Sequence, residues 1–241
     1  MTLADKIKEQ IENFSEGDIF RYEQFDIERD QYASAAKVLE RLQKSGLIKK
    51  ISKGTFYKPK KTVFGELKPG EQELLKPYLF ENGKQIAYIT GNYLYNQLGL
   101  TTQLSTVLKI ACRTKRIYVN TGAIKAKPVK SYAEVTDENY RILGFLDAMK
   151  DLKIIPDVEM NSAIQILSSE VRKQNLDRLN MMLEYALAYP PRVRALLGAI
   201  LESQGIMEGV ARLKDSLNPL TTFDIGISSK ILPTIAKWNI K

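Results

Sequence analysis

Residues Arg29 to Lys61 read RDQYASAAKVLERLQKSGLIKKISKGTFYKPKK, and their pattern decides the fold of the N-terminal part. A helix starts near Asp30 as N-cap and ends at Ser45-Gly46. At 100° per residue, Tyr32, Ala35, Ala36, Val38, Leu39 and Leu42 fill one arc, while Asp30, Ser34, Lys37, Arg41 and Lys44 lie opposite. Leu47 to Ile51 and Thr55 to Lys58 then pair as strands across Ser52-Lys53-Gly54, where Gly54 can take the positive φ that a tight turn needs. From Lys37 to Lys61 nine residues are basic and Glu40 alone is acidic, so this segment carries +8, equal to the net charge of the whole chain.

The residues before it complete a motif. Thr2 and Asp5 make a T-x-x-D start signal for a helix from Leu3 to Phe14, stopped by Ser15-Glu16-Gly17. Ile19-Phe20 forms a short strand, and Tyr22 to Phe25 a short second helix with its aromatics inward. Helix, strand, short helix, helix and basic hairpin is the order of a winged helix-turn-helix, which lays a helix in the major groove of double-stranded DNA. Ser34 and Arg41 are expected at bases, and Lys37, Lys44, Lys50 and Lys53 at phosphates, with Lys49 and Thr55 beside the hairpin tip. About five phosphate contacts correspond to a log–log salt slope near −4 to −5. The competing reading is a lysine-rich helix with an ordinary solvated face; the hairpin, the Gly turn and the charge bias argue against it.

Composition excludes several classes. The chain has 241 residues, 44% of them hydrophobic, enough for two domains. No apolar run of ~18 residues suggests a membrane span, and MTLADKIKEQIENF has no signal-peptide core, so a cytoplasmic protein is expected. The one cysteine, Cys112, permits no internal disulfide, and the absence of histidine removes the commonest metal ligand and general base. No metal site, cofactor or catalytic residue is therefore assigned. Residues 1–61 hold 13 basic and 10 acidic residues, 62–130 hold 10 and 4, and 131–241 hold 13 and 14. The positive excess lies in the first half, which favours a polyanionic partner there.

Residues 62–130 read as mixed α/β. Glu71 to Leu79 is helical after Lys68-Pro69-Gly70, Gln85 to Ile89 is a strand, and Asn92 to Leu98 is a short helix stopped by Gly99. Ser105 to Cys112 is a further strand. Arg116 to Val119 and Ala123 to Val129 are expected as a hairpin around Asn120-Thr121-Gly122. The polar rim from Thr90-Gly91 to Thr101-Thr102-Gln103 lacks the spacing of a phosphate loop and is better read as a strand-to-helix connection with buried tyrosines. A second basic patch comprises Lys109, Arg113, Lys115, Arg116, Lys125, Lys127 and Lys130, readable as an extension of the nucleic-acid footprint, as a surface for an acidic or RNA-bound partner, or as a solvated sheet face.

Residues 131–241 read as helical. Thr136 caps a helix burying Tyr140, Leu143, Leu146 and Met149, and Asp157 to Arg172 is the next. Leu176, Leu179, Leu183 and Leu187 line a third. Pro190-Pro191 breaks the chain and restarts it with Val193, Leu196, Leu197, Ile200 and Leu201 inward. Ile206, Val210, Leu213 and Leu217 follow, and Trp238-Asn239-Ile240 docks the tail on the core. Asp147 and Asp151, four apart on one helix face, are a carboxylate pair of the kind that solvated helices also carry. The fold class is α+β: a winged helix-turn-helix in residues 1–61, then a larger domain in 62–241, mixed α/β to residue 130 and mainly helical beyond.

The wing SGLIKKISKGTFYKPK, then FGEL, AYITGNYLYNQLGLTTQLSTVLKIAC, LDAMKDLKIIPD, YPPRVRALLGAIL, LNPLTTFDIG and the late WNI resemble, in this order, the AbiEi-type antitoxins of type IV toxin–antitoxin systems. The resemblance spans nearly the whole chain and is most specific at ITG-x-x-LYNQLGLTTQ. It implies a non-enzymatic protein whose winged helix binds inverted repeats in its own promoter. It also implies that residues 62–241 counter a nucleotidyltransferase-type toxin, in the usual description without a stable complex. A ligand-responsive or dimerising winged-helix regulator without antitoxin activity is the alternative.

Overall fold

A computed structural model of the chain describes residues 2–63, 65–121 and 124–241. The fold is mixed α+β, and the chain divides into two compact units, residues 1–83 with 119–125, and residues 84–118 with 126–241.

The first unit opens with α1 (Leu3–Glu12), whose start is fixed by a capping box: Thr2 Oγ1 accepts from the Asp5 N–H at 3.2 Å, and Asp5 accepts back from the Thr2 N–H at 3.0 Å. β1 (Ile19–Arg21) follows. The short helix expected at Tyr22 to Phe25 is a single 3-10 turn, Tyr22–Gln24. A second 3-10 turn, Arg29–Gln31, occupies the expected start of the next helix, so Asp30 is not its cap. α2 (Tyr32–Lys44) ends in a left-handed Gly46, φ 76°, with the Leu47 N–H donating to Leu42 O and the Gly46 N–H to Gln43 O. That paired closure satisfies two of the carbonyls the helix end leaves open.

β2 (Lys49–Ser52) and β3 (Thr55–Tyr57) form the hairpin, turning at Gly54 with φ 75°. β3 is central, antiparallel to both neighbours in the order β1-β3-β2, with Phe20 opposite Phe56 and Lys50 opposite Phe56 on the other side. The core gathers Ile7, Ile11, Ala35, Leu39 and Ile48 around Phe20, which stacks on Phe14 at 4.8 Å and meets Phe25 edge-on at 5.6 Å. A hairpin absent from the sequence reading, β4 (Lys60–Thr62) with β5 (Gly65–Leu67), comes next, then α3 (Glu71–Leu79), which buries Leu74 and Leu75. Residues 62–83, expected with the second part, thus belong to this unit. Phe64, in the FGEL run, lies outside the described residues.

Short strands β6 (Phe80–Glu81) and β7 (Lys84–Gln85) lead to β8 (Ala87–Thr90) and α4 (Asn92–Gln97). β9 (Leu108–Cys112) is antiparallel to β8. After the two-residue β10 (Val119–Asn120) comes β11 (Lys125–Lys130), which runs parallel to β9 with Lys127 beside Lys109 and Lys130 beside Cys112. The expected hairpin is present in shortened form, with β10 beside β11 in the sheet order β10-β11-β9-β8; Arg116 to Tyr118 is not strand, and residues 126–130 also pair in parallel with β9. Gly122 of its turn and Ala123, the expected start of its second strand, lie outside the described residues.

The rest of the second unit is helical. α5 (Tyr140–Asp151) buries every residue from Ile142 to Met149, and α8 (Pro191–Ser203) buries Val193 and Ala195 to Leu201. Helices buried all round sit in the middle of a core. Around them lie α6 (Met160–Arg172), α7 (Leu176–Ala186) and α9 (Val210–Asp215). Thr136, the expected cap of α5, instead bonds Asn139 in a turn ahead of it, and Glu159 caps α6. Leu176, expected inward, is exposed. The tail docks through Trp238, whose ring fills the space over Gly198, where a Cβ would stand 2.1 Å from a ring carbon. No helix among the described residues is long and apolar enough to cross a membrane.

Candidate functional site

The 3.6-residue period sets Ser34, Lys37, Arg41 and Lys44 in one stripe of α2, and all four are exposed. Ala35 and Leu39 on the opposite side are buried, which fixes the orientation of the stripe. Lys44 reaches back to Glu40 at 2.8 Å, a solvent-facing pair that contributes little to stability and holds the Glu40 carboxyl below its ordinary value through that bond. Lys50 on β2 and Lys53 in the turn are exposed as well.

Two expected contact residues are corrected by their surroundings. Thr55 is 2% exposed in the central strand, between Arg21 on one side and Ser52 on the other, so its hydroxyl reaches no external ligand. Lys49 is half-buried and bonded to Glu66 of β5, which holds its ammonium above the ordinary lysine value. Lys58 leaves the charged surface too, donating to the Glu12 and Phe14 carbonyls at 3.0 and 2.8 Å and closing α1. Tyr32 and Ala36, expected inward, are exposed. Tyr22 takes the place at the start of α2, its hydroxyl donating to the Tyr32 carbonyl at 3.0 Å and its ring edge-on to Tyr32 at 5.3 Å.

All seven residues of the expected second patch are exposed, Lys125 in the first unit and the other six in the second. Lys109 and Lys127 are register neighbours on β9 and β11. Arg113 donates from Nη1 to the Ser131 carbonyl at 3.1 Å. The rim at Thr90-Gly91 is a connection: Gly91 has φ 76°, α4 is a six-residue helix, and Tyr95 is buried beneath it.

Sequence reasoning missed the polar centre of this unit. Asp147 is 2% exposed, and its carboxylate accepts from Tyr88 Oη at 2.9 Å, Thr90 Oγ1 at 2.8 Å, Tyr189 Oη at 3.3 Å and Lys150 Nζ at 3.2 Å. Asp151 accepts from Tyr95 Oη at 2.7 Å and lies 3.6 Å from the same ammonium. Desolvation, then the carboxylate charge, pushes the Tyr88 and Tyr189 hydroxyls far above the phenol range, and Tyr95 likewise beside Asp151, so all three remain donors. Burial alone would lower the Lys150 ammonium, but Asp147 and Asp151 outweigh it and hold it above the ordinary lysine value. With every partner engaged and little access to solvent, the cluster braces β8 and Tyr189 against α5. The only foreshadowing in sequence was the i, i+4 spacing of Asp147 and Asp151. Among the described residues no group of three or more Cys, Asp or Glu is placed to hold a metal ion.

Comparison with known proteins gives one family. The model of a "Family of unknown function (DUF6088)" matches residues 6–175. Among solved structures, the chain is similar to that described as "Crystal structure of RV2827C protein from Mycobacterium tuberculosis", at 10% identity and a TM-score of 0.48, covering 97% of this chain and 93% of that one. No match is found among curated proteins.

Proposed function

The chain belongs to the DUF6088 family, whose function is unknown, and we propose that it is a non-enzymatic antitoxin that binds double-stranded DNA and represses its own operon. In this reading the first unit is a winged helix-turn-helix with α2 as the recognition helix and the β2–β3 hairpin as the wing. The observation that carries it is the exposed stripe Ser34, Lys37 and Arg41, continued by Lys50 and Lys53 at the end of the hairpin. A helix of 13 residues bearing cations along one face, beside a basic hairpin, has the shape and charge to enter a major groove and hold phosphates. The sheet order β1-β3-β2 and the helix–strand–turn–helix–hairpin succession support the same reading. The antitoxin role comes from the resemblance to AbiEi-type proteins and falls to the larger second unit.

Two experiments test the pair of roles. In an electrophoretic shift assay with the DNA upstream of its own gene, Arg41→Ala should relax specificity at one base position, whereas Lys50→Ala with Lys53→Ala should weaken all sequences alike. Failure of the upstream DNA to shift at low salt would refute the repressor role. For the antitoxin role, the full chain carrying Lys37→Ala, Arg41→Ala, Lys50→Ala and Lys53→Ala should still rescue cells from a toxic adjacent gene. Loss of rescue with DNA binding, or no toxicity to rescue, would refute it. A truncation at residue 61 is unsuitable, because it cuts through the first unit.

One observation favours a second reading, a ligand-responsive regulator. The second unit has a cleft of ≈ 380 Å³ lined by Ile164, Ser168, Arg172, Gln204 and Leu232 among others. Gln204 Oε1 is buried there without a hydrogen-bond partner among the described residues. A small molecule that shifts DNA affinity, in a strain where the adjacent gene is harmless, would select this alternative.

A further inference from the structure

The second unit carries a cleft that the DNA-reading surface does not use. Its volume is ≈ 500 Å³, and it is lined by Arg113, Lys115, Arg116, Tyr118, Pro128 and Lys130 among others. The chain contains no acidic residue from Asn82 to Ala133, and eight cations fall in that interval. The cleft therefore gathers four cations from a stretch of chain that has no acidic residue of its own. Arg113, Lys115, Arg116 and Lys130 are all exposed. Arg113 is steadied by its bond to the buried Ser131, which leaves the rest of its guanidinium at the rim. Tyr118 is 67% exposed, an aromatic face held out among the cations rather than packed in the core.

We propose that this cleft binds single-stranded nucleic acid, with Arg113, Arg116 and Lys130 on successive phosphates and one base stacked on Tyr118. The chemistry selects the single strand. Cations alone would serve any polyanion, but an exposed ring between them offers a stacking platform that only an unpaired base can use. A cleft of this size falls within the range that encloses a small ligand, about 300–1,000 Å³. It is therefore large enough for a splayed nucleotide, whereas a duplex keeps its bases stacked inside and would touch only the rim. The cleft lies entirely within the second unit, so the assignment stands apart from the groove-reading role of α2.

The test uses the full-length protein and a fluorescently labelled 12-nucleotide oligouridine, with the corresponding single-stranded DNA and a random-sequence duplex as separate arms, read by anisotropy between 50 and 200 mM salt. Arg116→Ala with Lys130→Ala should weaken single-strand binding about tenfold or more and reduce the log–log salt slope by roughly 1.4, the share of two contacts on a single strand. Tyr118→Ala should weaken it about tenfold, and Tyr118→Phe, which keeps the ring, should bind as the parent does. Lys50→Ala with Lys53→Ala should leave single-strand binding unchanged, and the cleft variants should shift upstream duplex DNA as before. All the substituted side chains are exposed, so unchanged thermal unfolding serves as the folding control. No binding of either single strand at 50 mM salt, parental affinity in the cleft variants, or loss that follows Lys50 and Lys53 instead would each overturn the proposal. Because the duplex arm reads α2 and the hairpin separately, the cleft assignment and the repressor reading can fail independently.

Discussion

Replacing Asp147 by alanine should destabilise the second unit by several kcal/mol. The carboxylate is 2% exposed and accepts from the Thr90 and Tyr88 hydroxyls. Tyr189 keeps the Leu143 carbonyl at 2.9 Å, and Lys150 keeps Asp151 at 3.6 Å. Two buried hydroxyls left unsatisfied cost about 1–3 kcal/mol each. Breaking a buried ion pair from one side costs about 3–5 kcal/mol, but here the lysine retains a second carboxylate and some solvent. The expected sum is about 3–5 kcal/mol. Trp238 is the sole tryptophan and lies buried in this unit, so urea unfolding followed by its fluorescence reports on the right part of the molecule. At a slope of about 2 kcal/mol per molar urea, the midpoint should fall by about 2 M with the slope unchanged. Tyr88→Phe, which removes one bond and leaves the carboxylate, should cost about 1 kcal/mol. Asp147→Ala with Lys150→Met should recover part of the loss, since the ammonium is then gone with its main partner. A midpoint shift below about 0.5 M for Asp147→Ala would refute the argument that this cluster braces the fold.

Two further outcomes follow from the docked tail. Gly198→Ala places a methyl within 2.5 Å of three Trp238 ring carbons in a fully packed site, which should cost about 1–3 kcal/mol and red-shift the tryptophan emission; an unchanged spectrum and midpoint would show that the tail does not pack there. Glu202 accepts from Lys237 at 2.6 Å and from Trp238 Nε1 at 2.9 Å, and these bonds hold its carboxyl below the ordinary glutamate value. A depressed folded value contributes stability that is present above roughly pH 4.3 and is lost as pH falls through the folded value. Glu202→Gln should flatten the fall in unfolding midpoint between pH 6 and 3, and a parental pH profile in that variant would contradict the assignment.

Local signals in the sequence carried the elements whose causes are local. Thr2 with Asp5 marked the start of α1, Gly46 the end of α2, Gly54 the hairpin turn and Pro191 the start of α8, each within a few residues of the structure it dictates. The exposed stripe of α2 was legible for the same reason, because a 3.6-residue period is written within the helix itself. What was not legible depends on residues far apart in sequence. Thr55 reads as a hairpin position with a free face, but β1 pairs on its other side and seals it. Lys49 reads as a free cation until Glu66, 17 residues on, meets it. The parallel pairing of β9 with β11 has no hairpin signal, since parallel neighbours need a crossover. The Asp147 cluster draws on positions 88, 90, 147, 150 and 189, and no spacing rule joins them.

The reading of α2 and the hairpin as a DNA-binding surface is tested most directly by the salt dependence of binding to upstream duplex DNA. With Lys49 engaged by Glu66, Thr55 sealed, Lys44 held by Glu40 and Arg41 assigned to a base, three cations remain for phosphates: Lys37, Lys50 and Lys53. Three contacts correspond to a log–log slope of about −2.7, shallower than five would give, and to a loss of affinity of about 40-fold between 50 and 200 mM salt. Lys50→Ala with Lys53→Ala should reduce the slope to about −0.9. A slope near zero, or a slope that the double substitution leaves unchanged, would contradict the account.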